Sequence, residues 1–509
     1  MNVKYVVHVL IFITWIVSFE FFCNSFAFSN TSNDNSKALT PTEKYGTTIT
    51  LILYMMRLVS LLILPQTICN ALGLLLFNGF KEEVKLNNAP MFAPFICFRV
   101  VTRGDYPALI KENLRKNCQT CYEAGIENFM FEIVTDKQLH LELNARVREI
   151  VVPTTYRTKT GAKFKARALQ FCLEDQTQDD DWIVHLDEET LLTTNSVRGI
   201  LNFCADGKHP FGQGIITYAN GEIVNWLTTL SDSFRVADDM GKLRFQLSVL
   251  HKPLFAWKAG VERKVNWDHG LEGSIAEDCY FSMIALRDGY SFDFIHGEMH
   301  EKSPFTMWDF LQQRKRWLCG IFLTVHSKAI PLRCKIFLAF SLYAWITMPL
   351  TTLQVLFCAY APLPKCPLID VLVGFVAAVN LYMCVFGSLS QFVSHRYRHN
   401  KYRLFLYAVG ALFTLPINIC IENLAVLLSI FDRKVDFYVV KKDFKTPVYE
   451  NYCSNRLEPP FSVQLDDSSA VASGLIVKRS ARVATASRFF RPKPPKPPAP
   501  PPQPAKRVN

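Results

Sequence analysis

A chain of 509 residues has room for more than one domain, and half of it is hydrophobic, with 40 Phe and slightly positive mean hydropathy. These figures argue against a purely soluble protein and against a chain made only of membrane helices; apolar spans joined to a polar domain fit both. The formal net charge of +11 reflects cytosol-facing loops on such a chain, and no zinc-finger spacing or base-stacking motif makes nucleic acid an expected partner.

The 15 cysteines are odd in number and irregular in spacing, which is no disulfide framework. Those of the central polar region read as reduced cytosolic thiols. Cys118 and Cys121 form a lone CxxC. A zinc site needs a second ligand pair, and none lies nearby in sequence.

Residues 5–28 are apolar, with Glu20 as the only charge. They read either as a transmembrane helix or as a signal peptide cleaved after Ser25-Phe26-Ala27. A polar stretch follows, and its sequon Asn30-Thr31-Ser32 points to a lumenal loop. Residues 47–77 form a second apolar stretch, interrupted by Arg57 and Pro65, which predicts a tilted or kinked span.

From residue 78 to 330 charges become frequent. Phe95–Val101, Phe129–Val134, Glu149–Val152 and Trp182–Leu186 read as buried strands. Helical patterns such as Ala108–Ala124 and Lys163–Glu174 alternate with them. That alternation predicts an α/β domain with a mostly parallel sheet and helices on both faces. Ligands bind such sheets at the carboxyl ends of strands, so chemistry is expected there.

Three further apolar segments lie at about 334–361, 368–393 and 404–431. The loop Ser394–Arg403 carries Arg396, Arg398, Lys401 and Arg403, so the positive-inside rule puts it in the cytosol. The segment 404–431 holds Pro416, Asn418, Glu422 and Asn423 in its middle. It reads either as a span or as a re-entrant or interfacial helix. Beyond residue 456 the chain reads as disordered, and 491–504 is rich in Pro and Lys. Arg491, Pro494 and Pro497 have the spacing of an SH3 ligand; a solvated basic tail is the plainer reading.

Three clusters carry chemistry. Asp187, Glu188 and Glu189 follow a strand, and strand alternation would point Asp187 and Glu189 the same way. Two such carboxylates hold Mg²⁺ or Mn²⁺ against a diphosphate, or else cap the next helix. Glu277 and Asp278 open the predicted helix Ala276–Asp288, where a carboxylate serves as a helix cap or as a general base. Gln313, Arg316 and Trp317 fall at i, i+3 and i+4 on a third helix, with Asp309 and Gly320 on the same face. Trp308, Leu311, Leu318 and Phe322 form its apolar face. This helix reads either as an interfacial anchor or as a lid. In the lid, Arg316 meets leaving phosphate charge and Trp317 stacks on a sugar ring.

Order makes these clusters specific. Val134-Thr135-Asp136, Asp187-Glu188-Glu189, Ala276-Glu277-Asp278 and Gln313-Arg314-Lys315-Arg316-Trp317 occur in sequence. The series resembles the inverting family 2 glycosyltransferases, which include cellulose, chitin and hyaluronan synthases. Their pattern is Asp, Asp-x-Asp, (Thr/Ser)-Glu-Asp and Gln-x-x-Arg-Trp. Lys163-Phe164-Lys165-Ala166-Arg167-Ala168-Leu169 is similar to the family's donor-site helix. Glu189 replaces the second Asp of Asp-x-Asp, and Ala276 replaces Thr/Ser; neither change removes a needed carboxylate. Within the family, the stretches Arg99–Pro107, His185–Thr190 and Phe437–Lys442 resemble the egghead β-1,4-mannosyltransferases of invertebrates over about residues 45–450.

The resemblance implies a GT-A type, Rossmann-like mixed sheet domain over 78–330, which includes the Gln-x-x-Arg-Trp helix. Membrane segments over 1–77 and 331–431 flank it, and a basic, Pro-rich tail follows over 432–509. It implies mannose transfer from GDP-mannose to glucosylceramide with inversion and a Mn²⁺ or Mg²⁺ requirement. The place implied is the Golgi or endoplasmic reticulum membrane, with the catalytic domain in the cytosol. Asp136, Lys165 and Asp187 would bind the donor, and Asp187 and Glu189 the metal. Asp278 would be the base, with Glu277, Gln313, Arg316 and Trp317 around it. Rival expectations are a processive polysaccharide synthase of the same family and a non-enzymatic membrane scaffold that recruits partners through its tail.

Overall fold

Short runs of β-branched and aromatic residues, bounded by turn-formers, build a sheet because they pack well on a pleated surface. The strands are β1 (Ile96–Thr102), β2 (Phe129–Thr135), β3 (Val147–Val151), β4 (Trp182–Leu186), β5 (Phe211–Thr217), β6 (Phe255–Lys258) and β7 (Phe292–His300). They form one seven-stranded sheet in the order β3-β2-β1-β4-β6-β5-β7. β6 runs antiparallel to both neighbours and every other pair is parallel, so the sheet is mixed, as expected. The computed structural model describes residues 3–23, 40–80, 83–142, 144–173, 177–218, 223, 225–245, 255–361, 363–364, 366–393, 400–431, 438 and 440. The sequon at Asn30, residues 394–399 of the basic loop and the Pro-rich tail lie outside the described residues.

Four helices precede the sheet: α1 (Val3–Phe22), α2 (Pro41–Tyr45), α3 (Thr47–Val59) and α4 (Leu64–Leu76). Among the described residues six lie between the strands: α5 (Pro107–Glu123), α6 (Phe164–Leu173), α7 (Thr194–Asp206), α8 (Trp226–Lys242), α9 (Ala259–Val265) and α10 (Glu277–Arg287). Side chains alternate across β2, and the two faces take different helices. Phe131 and Ile133 share a core with Ile110 and Cys121 of α5, whereas Val134 packs with Ala168 and Cys172 of α6. Register brings the carboxyl ends of β1, β2 and β4 to one edge, with Thr102 beside Thr135 and Val100 beside Leu186.

One layer of this sheet is charged. Arg148, Glu132, Arg99 and His185 stand in one row across β3, β2, β1 and β4. Arg99 Nε donates to Glu132 at 2.5 Å, and His185 Nε2 lies 3.0 Å from Glu262 of α9. Buried charges survive only when paired and hydrogen-bonded, and these four strands and α9 supply the pairs.

The chain leaves the sheet through α11 (Met307–His326) and continues as α12 (Leu332–Ile346), α13 (Met348–Tyr360), α14 (Pro367–Val393) and α15 (Lys401–Phe431). Among the described residues, four segments are long and apolar enough to cross a membrane: α1, Thr47–Leu76, α14 and α15. α12 and α13 pass the same test together but bend by 51°, because Pro349 at the start of α13 interrupts the hydrogen-bond ladder. α1 is tied into the bundle: Trp15 Nε1 donates to Ala378 O at 2.9 Å and His8 Nδ1 lies 2.8 Å from Tyr382 OH. Arg57, which interrupts the second apolar stretch in sequence, pairs with Asp370 at the start of α14.

α15 stays against α8 and α11. Leu404, Tyr407 and Ala411 pack with Leu230 and Phe392. Further along, Ser231 Oγ bonds Asn418, Glu422 lies 3.1 Å from Arg314, and Val426 joins the core of Leu318 and Ile321.

Two close approaches fix α8 between α4 and α14. A Cβ on Gly73 would lie 2.1 Å from Gly241 O, and one on Gly387 would lie 2.0 Å from Ser233 O. Only a residue without a side chain permits such contacts. Gly73→Val is therefore predicted to destabilise the protein by about 1–3 kcal/mol, read as a lower thermal midpoint in detergent. An unchanged midpoint would contradict the packing of α8 on α4.

Candidate active site

The acidic cluster sits in a turn, not in an extension of β4. The strand ends at Leu186. Thr190 N–H then donates to Asp187 O at 3.0 Å, and Asp187 N–H to Thr190 Oγ1 at 3.2 Å. Strand alternation therefore does not govern Asp187 and Glu189, because the chain has already turned. The turn is held from three sides. Asn113 Nδ2 of α5 donates to Glu188 O at 2.8 Å and Asn117 Nδ2 to Thr190 O at 3.0 Å. Thr190 Oγ1 donates to Glu301 at 2.8 Å, and Thr102 at the end of β1 donates to the Glu188 carboxylate.

α6 begins beside this turn. Phe164 has φ of 54°, which costs a non-glycine residue on the order of 1–3 kcal/mol and is characteristic of functional sites. The next residue, Lys165, donates to Asp187 Oδ1 at 2.6 Å and lies 3.6 Å from Glu277 Oε1. Burial alone would lower the Lys165 pKa; Asp187 and Glu277 outweigh it and hold the ammonium above the usual lysine value. Two residues on, Arg167 pairs with Asp136 after β2. The first turn of one helix thus engages both strand-end acids, Asp136 through Arg167 and Asp187 through Lys165.

Glu277 and Asp278 form the first turn of α10, where the N-cap, Ala276, makes no side-chain cap. Burial pushes the Glu277 carboxyl up to about 7, with Lys165 opposing and Asp278 adding to the rise. Burial also raises Asp278, opposed by Lys165, by the Cys279 N–H and by Arg316. Glu277 is buried and Asp278 half-buried, so Asp278 is the more accessible of the two.

α11 docks on the start of α10 through Gly320, whose added Cβ would lie 2.5 Å from Ala276 Cβ. Gln313, Arg316 and Trp317 are all half-buried on it. Of the apolar face, Leu311 and Leu318 are buried, whereas Trp308 and Phe322 are exposed near the two ends, as an interfacial helix requires. Arg316 Nη1 donates to Tyr438 O at 3.2 Å, and Tyr438 OH donates to Asp309 at 2.6 Å. Tyr438 is thereby pinned to the Gln-x-x-Arg-Trp helix.

The structure thus brings Asp187, Lys165, Glu277 and Asp278 into one cluster, with Arg316 close enough to act on the carboxylate pair. Asp136 stands apart with its own arginine. Sequence reasoning gave no role to Arg167, nor to Arg235 and Arg314, which lie over Trp317, nor to Asp232, which pairs with both. Asp232 and Arg235 are i and i+3 on α8, a spacing that signals a pair, but their partner lies on another helix. Asp187 and Glu189 supply hard carboxylate oxygens, and Mg²⁺ or Mn²⁺ on a diphosphate is typically held by one or two such groups plus phosphate and water. The donor set fits, although no cluster of three ligating side chains occurs among the described residues.

Residues 182–390 match the family described as glycosyl transferase family group 2. The chain is 61% identical to the β-1,4-mannosyltransferase bre-3 of Caenorhabditis elegans and 60% identical to that of Caenorhabditis briggsae, each over 87% of this chain and 99% of the relative. It is 53% identical to the β-1,4-mannosyltransferase egh of Drosophila melanogaster, over 87% of this chain and 98% of that protein. The chain belongs to the egghead-type β-1,4-mannosyltransferases of glycosyltransferase family 2. It is a glycosyltransferase, and the names of its relatives support mannosyl transfer. A solved structure of S. aureus TarS aligns over 66% of this chain at 8% identity with a TM-score of 0.31, too distant to bear on the argument.

In this mannosyltransferase Lys165 lowers the pKa of both Glu277 and Asp278. If one of the two is the reaction's base it must be ionised, and the rate then falls as pH drops through the pKa of the pair. Lys165→Met is predicted to move the acidic limb of the pH–rate profile upward, because the cation that favours the charged forms is gone. An acidic limb that stays in place would show that Lys165 does not act on the base.

Proposed function

We propose that this enzyme transfers mannose from GDP-mannose to glucosylceramide with inversion, forming a β-1,4 linkage. The observation that carries the reading is the single ammonium of Lys165, which joins the strand-end acid Asp187 to the helix-start acid Glu277. A glycosyl transfer needs those two halves together: one to hold a diphosphate, one to take a proton. The choice of mannose is supported by the relatives' names, and the donor nucleotide and lipid acceptor by the motif resemblance.

Asp136 and Lys165 line the donor pocket. Asp187 and Glu189 would hold Mn²⁺ or Mg²⁺, which when bound neutralises charge on the diphosphate. Asp278 accepts the proton of the acceptor hydroxyl as that oxygen attacks the anomeric carbon from the face opposite the diphosphate. An α-linked donor thus yields a β-linked product. Arg316 meets the charge that grows on the departing group. Glu277, held near neutrality in its pKa, keeps Asp278 from spreading its charge into a second ionised neighbour. Gln313 and Trp317 face the acceptor side from α11.

The acceptor is a membrane lipid, which accounts for a catalytic sheet packed on apolar helices. We read α1, α3–α4, the bent pair α12–α13 and α14 as spans, and α15 as interfacial. Along α15, residues from Leu404 to Val426 touch α8, α11 or the end of α14, and a spanning helix would carry its far end away from them. On this reading the sheet domain, the loop after α14 and the tail all face the cytosol of the Golgi or endoplasmic reticulum, where a nucleotide-sugar donor is available. A processive polysaccharide synthase would instead release a polymer.

The purified enzyme in nanodiscs, given a panel of labelled nucleotide sugars and glucosylceramide, is expected to add one mannose from GDP-mannose. Preference for another donor, or a ladder of products, would refute the reading. Asp278→Asn is predicted to lower transfer by about 10²–10⁴-fold while GDP-mannose binding changes little. Near-wild-type transfer would show that another group is the base.

A further inference from the structure

Trp317 sits in a buried charged network that the reaction scheme above does not use. Asp232 of α8 is almost fully buried. Its Oδ1 accepts from Arg314 Nη2 at 2.8 Å and lies 3.7 Å from Arg235 Nη1, while its Oδ2 accepts from Ser303 Oγ at 2.7 Å. On the other side, Arg314 Nε lies 3.1 Å from Glu422 of α15. Both guanidiniums also lie over the Trp317 indole, Arg235 at 4.0 Å and Arg314 at 4.6 Å from the ring centre.

Two guanidiniums and two carboxylates balance in charge, yet withdrawing them from water is costly, and apolar side chains would fill the space with more stability. What the network supplies is geometry. A planar guanidinium against an indole face fixes the ring's angle, and the carboxylates fix the guanidiniums. α8, α11 and α15 each contribute one layer.

We propose that Asp232, Arg235 and Arg314 are positioning residues for Trp317 and that Glu422 couples them to the interfacial helix α15. The inference rests on the reading that Trp317 faces the acceptor sugar. With the indole held, the acceptor hydroxyl is presented to Asp278 in one orientation. With it loose, the lipid headgroup binds in several. The donor side, built on Lys165, Asp187 and Asp136, is untouched.

The test uses the full-length enzyme in nanodiscs with GDP-mannose and glucosylceramide. Arg235→Met should raise the KM for glucosylceramide about tenfold, while GDP-mannose affinity and the slow hydrolysis of GDP-mannose without acceptor stay within about twofold. Arg235→Lys keeps the charge but not the planar face and should resemble Arg235→Met. Adding Trp317→Phe to Arg235→Met should cost nothing further in acceptor KM. Equal losses in donor binding and acceptor use would mean a merely structural role and overturn the proposal, as would full rescue by Lys or an unchanged acceptor KM. A thermal-midpoint cycle over Arg235→Met and Trp317→Phe tests the contact without any substrate: additive effects overturn the network. Wild-type enzyme that ignores glucosylceramide overturns the acceptor instead, and that result is separable from the cycle.

Discussion

Lys165 Nζ is placed among carboxylates that come from opposite ends of the fold. Asp187 lies at the end of β4, and Glu277 opens α10, some ninety residues later in the chain. Without a cation between them, Asp187, Glu277 and Asp278 would repel one another in a poorly hydrated site, by amounts on the order of 4 kcal/mol for a pair at contact distance. With it, the two halves share one counter-charge, the donor half and the base half on the proposed reading. The same ammonium leaves the Glu277 carboxyl at about 7 and not higher. The left-handed backbone at Phe164 and the tripod of Asn113, Asn117 and Glu301 around the acidic turn are the local means of holding the two partners in place.

The membrane-facing side is organised by a different constraint, the close approach of α8 to α4 and α14. Glycines at 73 and 387 let backbone meet backbone there, so the sheet is not tethered by a loop but seated on the apolar helices. α11 then lies between that seat and the carboxylates. It carries Arg316 and Trp317 on the side of the chemistry and exposes Trp308 and Phe322 near its ends. On the proposed reading a lipid acceptor would enter such a site from the membrane, and a nucleotide sugar from water.

Much of this was legible in sequence where the signal is local. The strand Trp182–Leu186 has the bounds that its apolar run predicts, and α5, α6 and α10 lie within one residue of their predicted limits. All five apolar segments are helical, because length and hydropathy alone specify them. What sequence did not convey depends on contacts between distant residues. The turn after Leu186 is set by Thr190, whose hydroxyl answers to Glu301 on the far side of the sheet. The row Arg148–Glu132–Arg99–His185 places charges in strands that otherwise read as apolar, and only the register, with Glu262 of α9 against it, shows how they are balanced. Arg314 reads as filler inside Gln-x-x-Arg-Trp, yet it is more buried than the Arg316 of the motif. Sequence left α15 open between a span and an interfacial helix; its contacts with Ser231 and Arg314 join residues far apart in the chain.

The most direct test is a double-mutant cycle over Lys165→Met and Asp187→Asn, read as kcat/KM for the nucleotide-sugar donor and as the thermal midpoint. If the ammonium and the carboxylate act as one unit, the double variant is no slower than the slower single variant. The coupling then amounts to about 1 kcal/mol or more in both readouts. Strictly additive losses would mean that the two groups act independently, and the site would not be assembled around Lys165.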